Sequence, residues 1–318
     1  MTSLSGRWKL GILLALGTSV MWGVLPITVQ LVLVTLDAET TTFFRFLQAA
    51  ILLTAYLMFS GRLTARRSLL LGKLLSPKLG LQMLAAGVLL CCNYSFYIFA
   101  LGKSTAEGVQ VMMQLAPMLL LLCGIWLFNE KFSTVQWLGF IIFVTGLGLF
   151  FNQHIRDLFI SLTSYGVGLL LAAISAICWT GYAIMQKQLL KEFSSVEILV
   201  SLYWIGALVF LPISDFSTLP ELSRLGWSML IFCGVNTLVA YGCFAEAQVH
   251  AEASRVGATL AITPLITVVI VQLFPIPGIT AESISWLTII GAVLVVCGSI
   301  LAVIAGNGMS NNDAEKNS

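Results

Sequence analysis

"EKFSTVQWLGFIIFVTG" (Glu130–Gly146) and "ESISWLTIIGAVLVVCG" (Glu282–Gly298) write one spacing twice. Glu130, Ser133, Gly139 and Gly146 stand at intervals of 3, 6 and 7 residues, and Glu282, Ser285, Gly291 and Gly298 repeat those intervals 152 residues later. The echo continues upstream. Ala100, Ala106 and Pro117 are 6 and 11 residues apart, as are Ala247, Ala253 and Pro264. Trp22 and Trp179 hold comparable places in the first and sixth apolar runs. From Pro to Glu the interval is 13 in the first half and 18 in the second, so "FPIPG" (Phe274–Gly278) reads as a five-residue insertion. A single Gly-x6-Gly is a generic feature of packed membrane helices, because small residues let backbones approach. Two ordered sets at fixed intervals point instead to duplication of a five-helix unit.

The chain around these motifs is built for a bilayer. It is 58% hydrophobic and 9% charged, where soluble domains carry about 25% charged residues. Apolar runs long enough for a helix to cross roughly 30 Å of hydrocarbon recur throughout. They cover 10–34, 40–59, 79–101, 107–128, 134–151, 165–187, 196–213, 226–245, 254–274 and 284–305. The expected fold is therefore an all-α integral membrane protein of about ten transmembrane helices. Five crossings end on the side opposite to where they began, so a second copy enters the membrane inverted. Residues 1–151 form the first five-helix repeat, with a cytoplasmic loop at 60–78. Residues 152–305 form the second, inverted repeat, and 306–318 a polar tail expected to be disordered and cytoplasmic.

Charge distribution sets the orientation, since Lys and Arg collect on the cytoplasmic side. With the N-terminus inside, the inner segments hold Arg7, Lys9, Arg62, Arg66, Arg67, Lys73, Lys78, Lys131, Lys187, Lys191 and Lys316. The outer loops hold Lys103, Arg156 and Arg224. Both termini are expected in the cytoplasm, and the first helix is expected to stay rather than be cleaved as a signal peptide, because no small-residue cleavage site follows it. The basic 60–78 segment reads as a helix on the anionic inner leaflet. Seven cysteines lie within predicted spans without C-x-x-C pairing, so they read as apolar fillers rather than disulfides or metal ligands.

These features resemble the EamA branch of the drug/metabolite transporter superfamily. The resemblance rests on the two five-helix units, the "SVMWG" and "SAICWTG" stretches, Arg45 and Phe46, the Ala-x5-Ala-x10-Pro frame and the twice-written Glu-x2-Ser-x5-Gly-x6-Gly ending. It implies an inner-membrane carrier, often an exporter of amino acids, other metabolites or drugs. It also implies a central cavity lined by the first, third, fourth, sixth, eighth and ninth spans.

Polar and aromatic residues at helical spacing mark candidate walls of that cavity. They are Trp22 and Gln30 in the first span, Asn93 and Tyr97 in the third, and Gln114, with Gln110 on the same face, in the fourth. Trp179 and Tyr182 follow in the sixth span, Asn236 and Tyr241 in the eighth and Thr263 in the ninth. Such residues hydrogen-bond and stack on a small polar solute, yet they also serve in interfacial belts and as links between helices. Pro26, Pro117 and Pro264 each remove a backbone donor within a span, which either exposes a carbonyl to solute or merely kinks the helix.

Arg45, Glu107, Lys187, Glu246 and Arg255 lie within about two turns of a predicted span end, from which long side chains can snorkel. Arg45 is the deepest, and pairs either with an anionic group of the solute or with a neighbouring helix. Glu130 and Glu282, with Ser133 and Ser285 as caps, read as helix-entry residues.

Function is expected to be secondary transport of a small organic solute by alternating access, with export the leading direction and uptake or facilitated exchange the alternatives. Protons or a counter-solute are the candidate coupling partners, beside the lipid bilayer. No cofactor, metal or nucleic-acid partner is expected. An enzyme is disfavoured because His154 and His250 fall in predicted loops and no H-E-x-x-H or G-x-S-x-G occurs. A sensor or scaffold lacks an output domain in this sequence, and no nucleotide-binding G-x4-G-K-[ST] occurs.

Overall fold

The computed structural model describes residues 7–60, 73, 75–128, 133–153, 163–251, 253–274, 276, 279, 281 and 285–305. Outside them lie Glu130 and Glu282, most of the basic 60–78 segment, His154, most of "FPIPG", the 306–318 tail and the side chain of Arg255.

Among the described residues the structure is helical, with no strand. Its helices are α1 (Trp8–Leu33), α2 (Ala38–Phe59), α3 (Pro77–Leu101), α4 (Ala106–Met112), α5 (Leu115–Phe128) and α6 (Thr134–Phe150). Then come α7 (Ser164–Leu189), α8 (Ser195–Phe210), α9 (Arg224–His250), α10 (Ala253–Leu260), α11 (Thr263–Leu273) and α12 (Trp286–Ala305). Six of them, α1, α2, α3, α7, α8 and α9, are long and apolar enough to cross a membrane.

Local chemistry sets the helix ends. The Asp37 carboxylate accepts from Thr40 N at 2.6 Å and starts α2. Ser133 and Gln136 close a reciprocal capping box at α6. In the second copy Ser285 Oγ accepts from Thr288 N at 3.1 Å, so the cap recurs without the glutamine. α9 runs five residues beyond the expected end of its span and carries His250 on its last turn, where it faces Glu246 at 3.1 Å, rather than in a loop.

Two expected continuous spans are broken. The fourth divides at Met113–Gln114 into α4 and α5, and the ninth at Ala261–Ile262 into α10 and α11. The prolines cause this from downstream. Pro117 and Pro264 sit in the first turn of α5 and α11, where a missing N–H costs nothing, while the ring displaces the turn before it. Pro26, by contrast, lies within an unbroken α1.

α6 packs antiparallel on α12 through the twice-written glycines. A Cβ on Gly139 would stand 2.9 Å from Gly298 O, and one on Gly146 would stand 2.9 Å from Gly291 O and 2.5 Å from Val295 N. In hydrocarbon, association rests on close van der Waals packing rather than on expelling water, so backbone contact of this kind is the cohesive element.

Other inter-helix contacts recur at fixed offsets. Ser175 Oγ donates to Asn93 O at 2.9 Å, and Thr18 Oγ1 donates to Ala240 O at 3.3 Å. Ser175 follows Thr18 by 157 residues and Ala240 follows Asn93 by 147. Gly168 packs on Ala100 and Ser104 as Gly11 does on Ala247 and Ala251, and Gly87 meets Ile205 as Gly234 meets Gln48. Both pairs obey the same two offsets.

Candidate functional site

The two helix breaks open onto one cavity of about 250 Å³. The first break supplies Gln110, Met113, Gln114, Ala116 and Pro117, and the second Gly257, Leu260, Ala261 and Thr263. The rest of the wall comes from α1 (Trp22, Leu25), α2 (Arg45), α3 (Asn93, Tyr94, Tyr97), α7 (Trp179) and α9 (Tyr241, Phe244). These are the six spans expected to line the cavity, with α2 added through Arg45.

Aromatic packing shapes the interior. The Trp22 ring stands edge-on to Tyr241 with centroids 5.3 Å apart and lies 5.7 Å from Phe244. Tyr97 Oη donates to Gln110 Oε1 at 3.3 Å, which orients that amide across α3 and α4. Thr263 Oγ1 donates to Leu260 O at 2.6 Å, the carbonyl left without a helical partner by Pro264. Asn93 Nδ2 reaches Ser175 O at 3.0 Å and Ser175 Oγ at 2.8 Å, so this amide ties α3 to α7 at the cavity edge.

Of the sequence candidates, Trp22, Asn93, Tyr97, Gln114, Trp179, Tyr241, Thr263, Pro117 and Arg45 come together on this wall. The others lie elsewhere. Gln30 Nε2 donates to Leu101 O and Ser104 O at 3.0 and 2.9 Å, holding α1 on the α3–α4 connection. Asn236 Nδ2 donates to Met21 O at 2.6 Å and links α9 to α1. Tyr182 is buried in the core beside Phe46 and Tyr94. Pro26 and Pro264 are buried behind the wall.

Two of the charges near span ends are interior. Arg45 is 2% exposed, and Glu107 is fully buried, accepting from Gln272 Nε2 at 3.1 Å. Sequence reading passed over Tyr94 and Phe244. Shifting Tyr241 and Tyr97 by the 147-residue offset names both.

The same offset shows that the wall is two-fold in position but not in chemistry. Tyr94 pairs with Tyr241 and Met113 with Leu260, while Trp22 pairs with Trp179 at 157. Tyr97, Gln110 and Gln114, however, correspond at that offset to Phe244, Gly257 and Ala261. The first half thus presents a polar wall and the second an apolar one, with Thr263 opposite Ala116 as the exception.

The family model of the EamA-like transporters matches residues 9–152 and again 166–304. The chain belongs to the EamA-like transporter family. An "Uncharacterized transporter" of Haemophilus influenzae is 33% identical over 299 residues, covering 93% of this chain and 95% of its own. The "Uncharacterized inner membrane transporter YhbE" of Escherichia coli is 33% identical over 93% of this chain and 91% of its own. "Protein RarD" of Salmonella typhi is 23% identical over 78% and 80%. A crystal structure with 16% identity superposes at a TM-score of 0.65 over 93% of this chain and 98% of that one, which shows the shared fold. An EamA-like chain with these helices is a multi-pass membrane protein.

Proposed function

We propose that the protein is a secondary carrier that moves a small organic solute across the inner membrane by alternating access, with export as its main direction. The observation that carries this is a cavity where two broken spans, one from each half, meet. Unwound backbone at membrane depth is tolerated where it lines such a site.

Ten spans in two inverted five-helix repeats, residues 1–151 and 152–305, are part of the same proposal. What supports inversion is the antiparallel glycine seam and the exchange symmetry of contacts at offsets of 147 and 157. Two like units in opposite orientation interconvert by exchanging conformations, so one arrangement opens inward and its counterpart outward. Both termini face the cytoplasm in this reading, consistent with the basic residues of the first half. Trp22, Tyr97, Gln114, Trp179, Tyr241 and Thr263 are the proposed solute contacts, with Asn93 at the edge. Coupling to protons or to a counter-solute belongs to the same proposal.

The test compares metabolites inside and outside cells that lack, contain or overproduce the protein. A solute that rises outside and falls inside with expression identifies an export substrate. No change for any solute removes the export reading. Reporter fusions after residues 67 and 158 address topology, with the first expected inside and the second outside.

A further inference from the structure

Arg45 is the charged side chain on the cavity wall, and no Asp or Glu lines that wall among the described residues. Its surroundings shelter the guanidinium without neutralising it. Nε donates to Thr237 Oγ1 at 3.3 Å, and that neutral hydroxyl in turn donates to Cys233 O at 2.9 Å. The guanidinium carbon lies 4.4 Å from the centre of the Tyr94 ring, a cation–π contact. Nη1 is buried and has no hydrogen-bond partner among the described residues.

An arginine remains protonated in proteins. A buried cation with an unfilled donor and no counter-ion is costly, which is why intramembrane charges are paired or functional. The duplicated half makes the point by contrast. The position 157 residues on is Leu202, fully buried in the core, so a helix at this place packs without a charge.

We infer that Arg45 is the anion-binding group of the cavity and that the transported solute is a small amphipathic carboxylate. This deepens, and rests on, the carrier reading above. The carboxylate meets the guanidinium where Arg45 lines the cavity, and its two oxygens match the planar fork that includes the unpartnered Nη1. Gln110 and Gln114 line the same cavity and supply further amide donors. The apolar part of the solute lies against Phe244, Leu260 and Ala261, which line the same cavity. A cavity of about 250 Å³, against roughly 300–1,000 Å³ for drug-sized sites, suits a solute of metabolite size. Cationic solutes are rejected by like charge.

The test uses the full-length protein in phosphatidylcholine vesicles as wild type, Arg45→Gln and Arg45→Lys. Phenylacetate, phenylacetamide and phenethylamine are probes of one shape and three charges. Binding is read by tryptophan fluorescence, since Trp22 and Trp179 line the cavity, and transport by efflux of preloaded probe. The expected result is that phenylacetate binds at least about tenfold more tightly than the other two, and that Arg45→Gln abolishes the preference. In Arg45→Lys the affinity for the acid falls several-fold while that for the amide holds.

Equal affinity for the three probes, or an acid preference that survives Arg45→Gln, overturns the inference. Should Arg45→Gln fail to fold, Arg45→Lys decides, because equal losses for acid and amide mark a purely structural arginine. Phenylacetate binding that is competed away by phosphatidylglycerol assigns the site to a lipid phosphate and also overturns it. Acid-specific binding lost in Arg45→Gln, without efflux of any probe, leaves the anion site standing and removes the carrier reading. Equal efflux of all three probes does the reverse.

Discussion

The glycine seam and the cavity follow the same internal repeat to different depths. Along the seam both position and residue type recur, with Gly139 against Gly298 and Gly146 against Gly291. Around the cavity the positions recur but the chemistry does not, since Tyr97, Gln110 and Gln114 correspond to Phe244, Gly257 and Ala261 at the equivalent places. The difference follows from what each region must satisfy. Where two backbones touch, no side chain fits on either helix, so both positions must be glycine. Where a wall borders open space, each position is free to take the chemistry of whatever occupies that space.

This comparison breaks most readily at the seam. Gly291→Val is expected to cost about 3 kcal/mol or more, the upper end of overpacking, because its Cβ would sit 2.7 Å from Gly146 O on a backbone held by its own helix. The measurement is the yield and melting temperature of monodisperse protein in detergent. Gly148→Ala, on α6 with nothing within 4 Å of the added carbon, is expected to leave stability unchanged or raise it by up to about 1 kcal/mol. Equal losses in the two variants would mean that the seam is not the cohesive contact.

At the cavity the effects move from folding to transport. Trp179→Ala is expected to lower transport of the cell's own solute about tenfold or more, with a smaller fall in melting temperature from the packing its ring gives up against the core. Asn93→Ala reads both properties, since it also cuts the link to Ser175. Smaller still, Gln114→Ala is expected to weaken apparent solute affinity by about three- to tenfold, worth about 1 kcal/mol. Ala261→Gln tests the polarity of the two walls. Apparent affinity that improves there would show the walls to be interchangeable, while a loss of similar size supports an apolar second wall.

The smallest expected effect returns to the repeat ends. Ser133→Ala removes a reciprocal cap and is expected to cost about 1 kcal/mol, with Ser285→Ala somewhat less because Thr288 replaces the glutamine arm. Thermal unfolding of both variants side by side measures this.

Much of the fold was legible because a bilayer imposes a length and a composition on every span. Starts and ends of α1, α2, α3, α6 and α7 lie within about two residues of the apolar runs. The broken spans were partly legible. Pro117 and Pro264 announced a disturbance, but its place, one turn upstream, depends on where the chain could find room to unwind beside the cavity. The seam glycines stood in plain view as a spacing, and the contact they make needed the partner helix.

The polar candidates divide more instructively. Gln30 and Asn236 looked like cavity residues by the same criterion as Gln114, yet they donate to main-chain carbonyls of neighbouring helices. An amide in an apolar run has the same sequence signature whether it meets a carbonyl or a solute.

The sequence by itself determined a helical membrane protein with a duplicated plan and the residues that could serve a polar site, because hydrocarbon tolerates few alternatives. The tertiary structure alone decided which of those residues share a cavity, that Arg45 lies on its wall with a buried, unpartnered donor, and that Glu107 is held inside by Gln272. The rotation of a helix about its own axis is set by the shapes of its neighbours, and that rotation separates a structural polar group from a binding one.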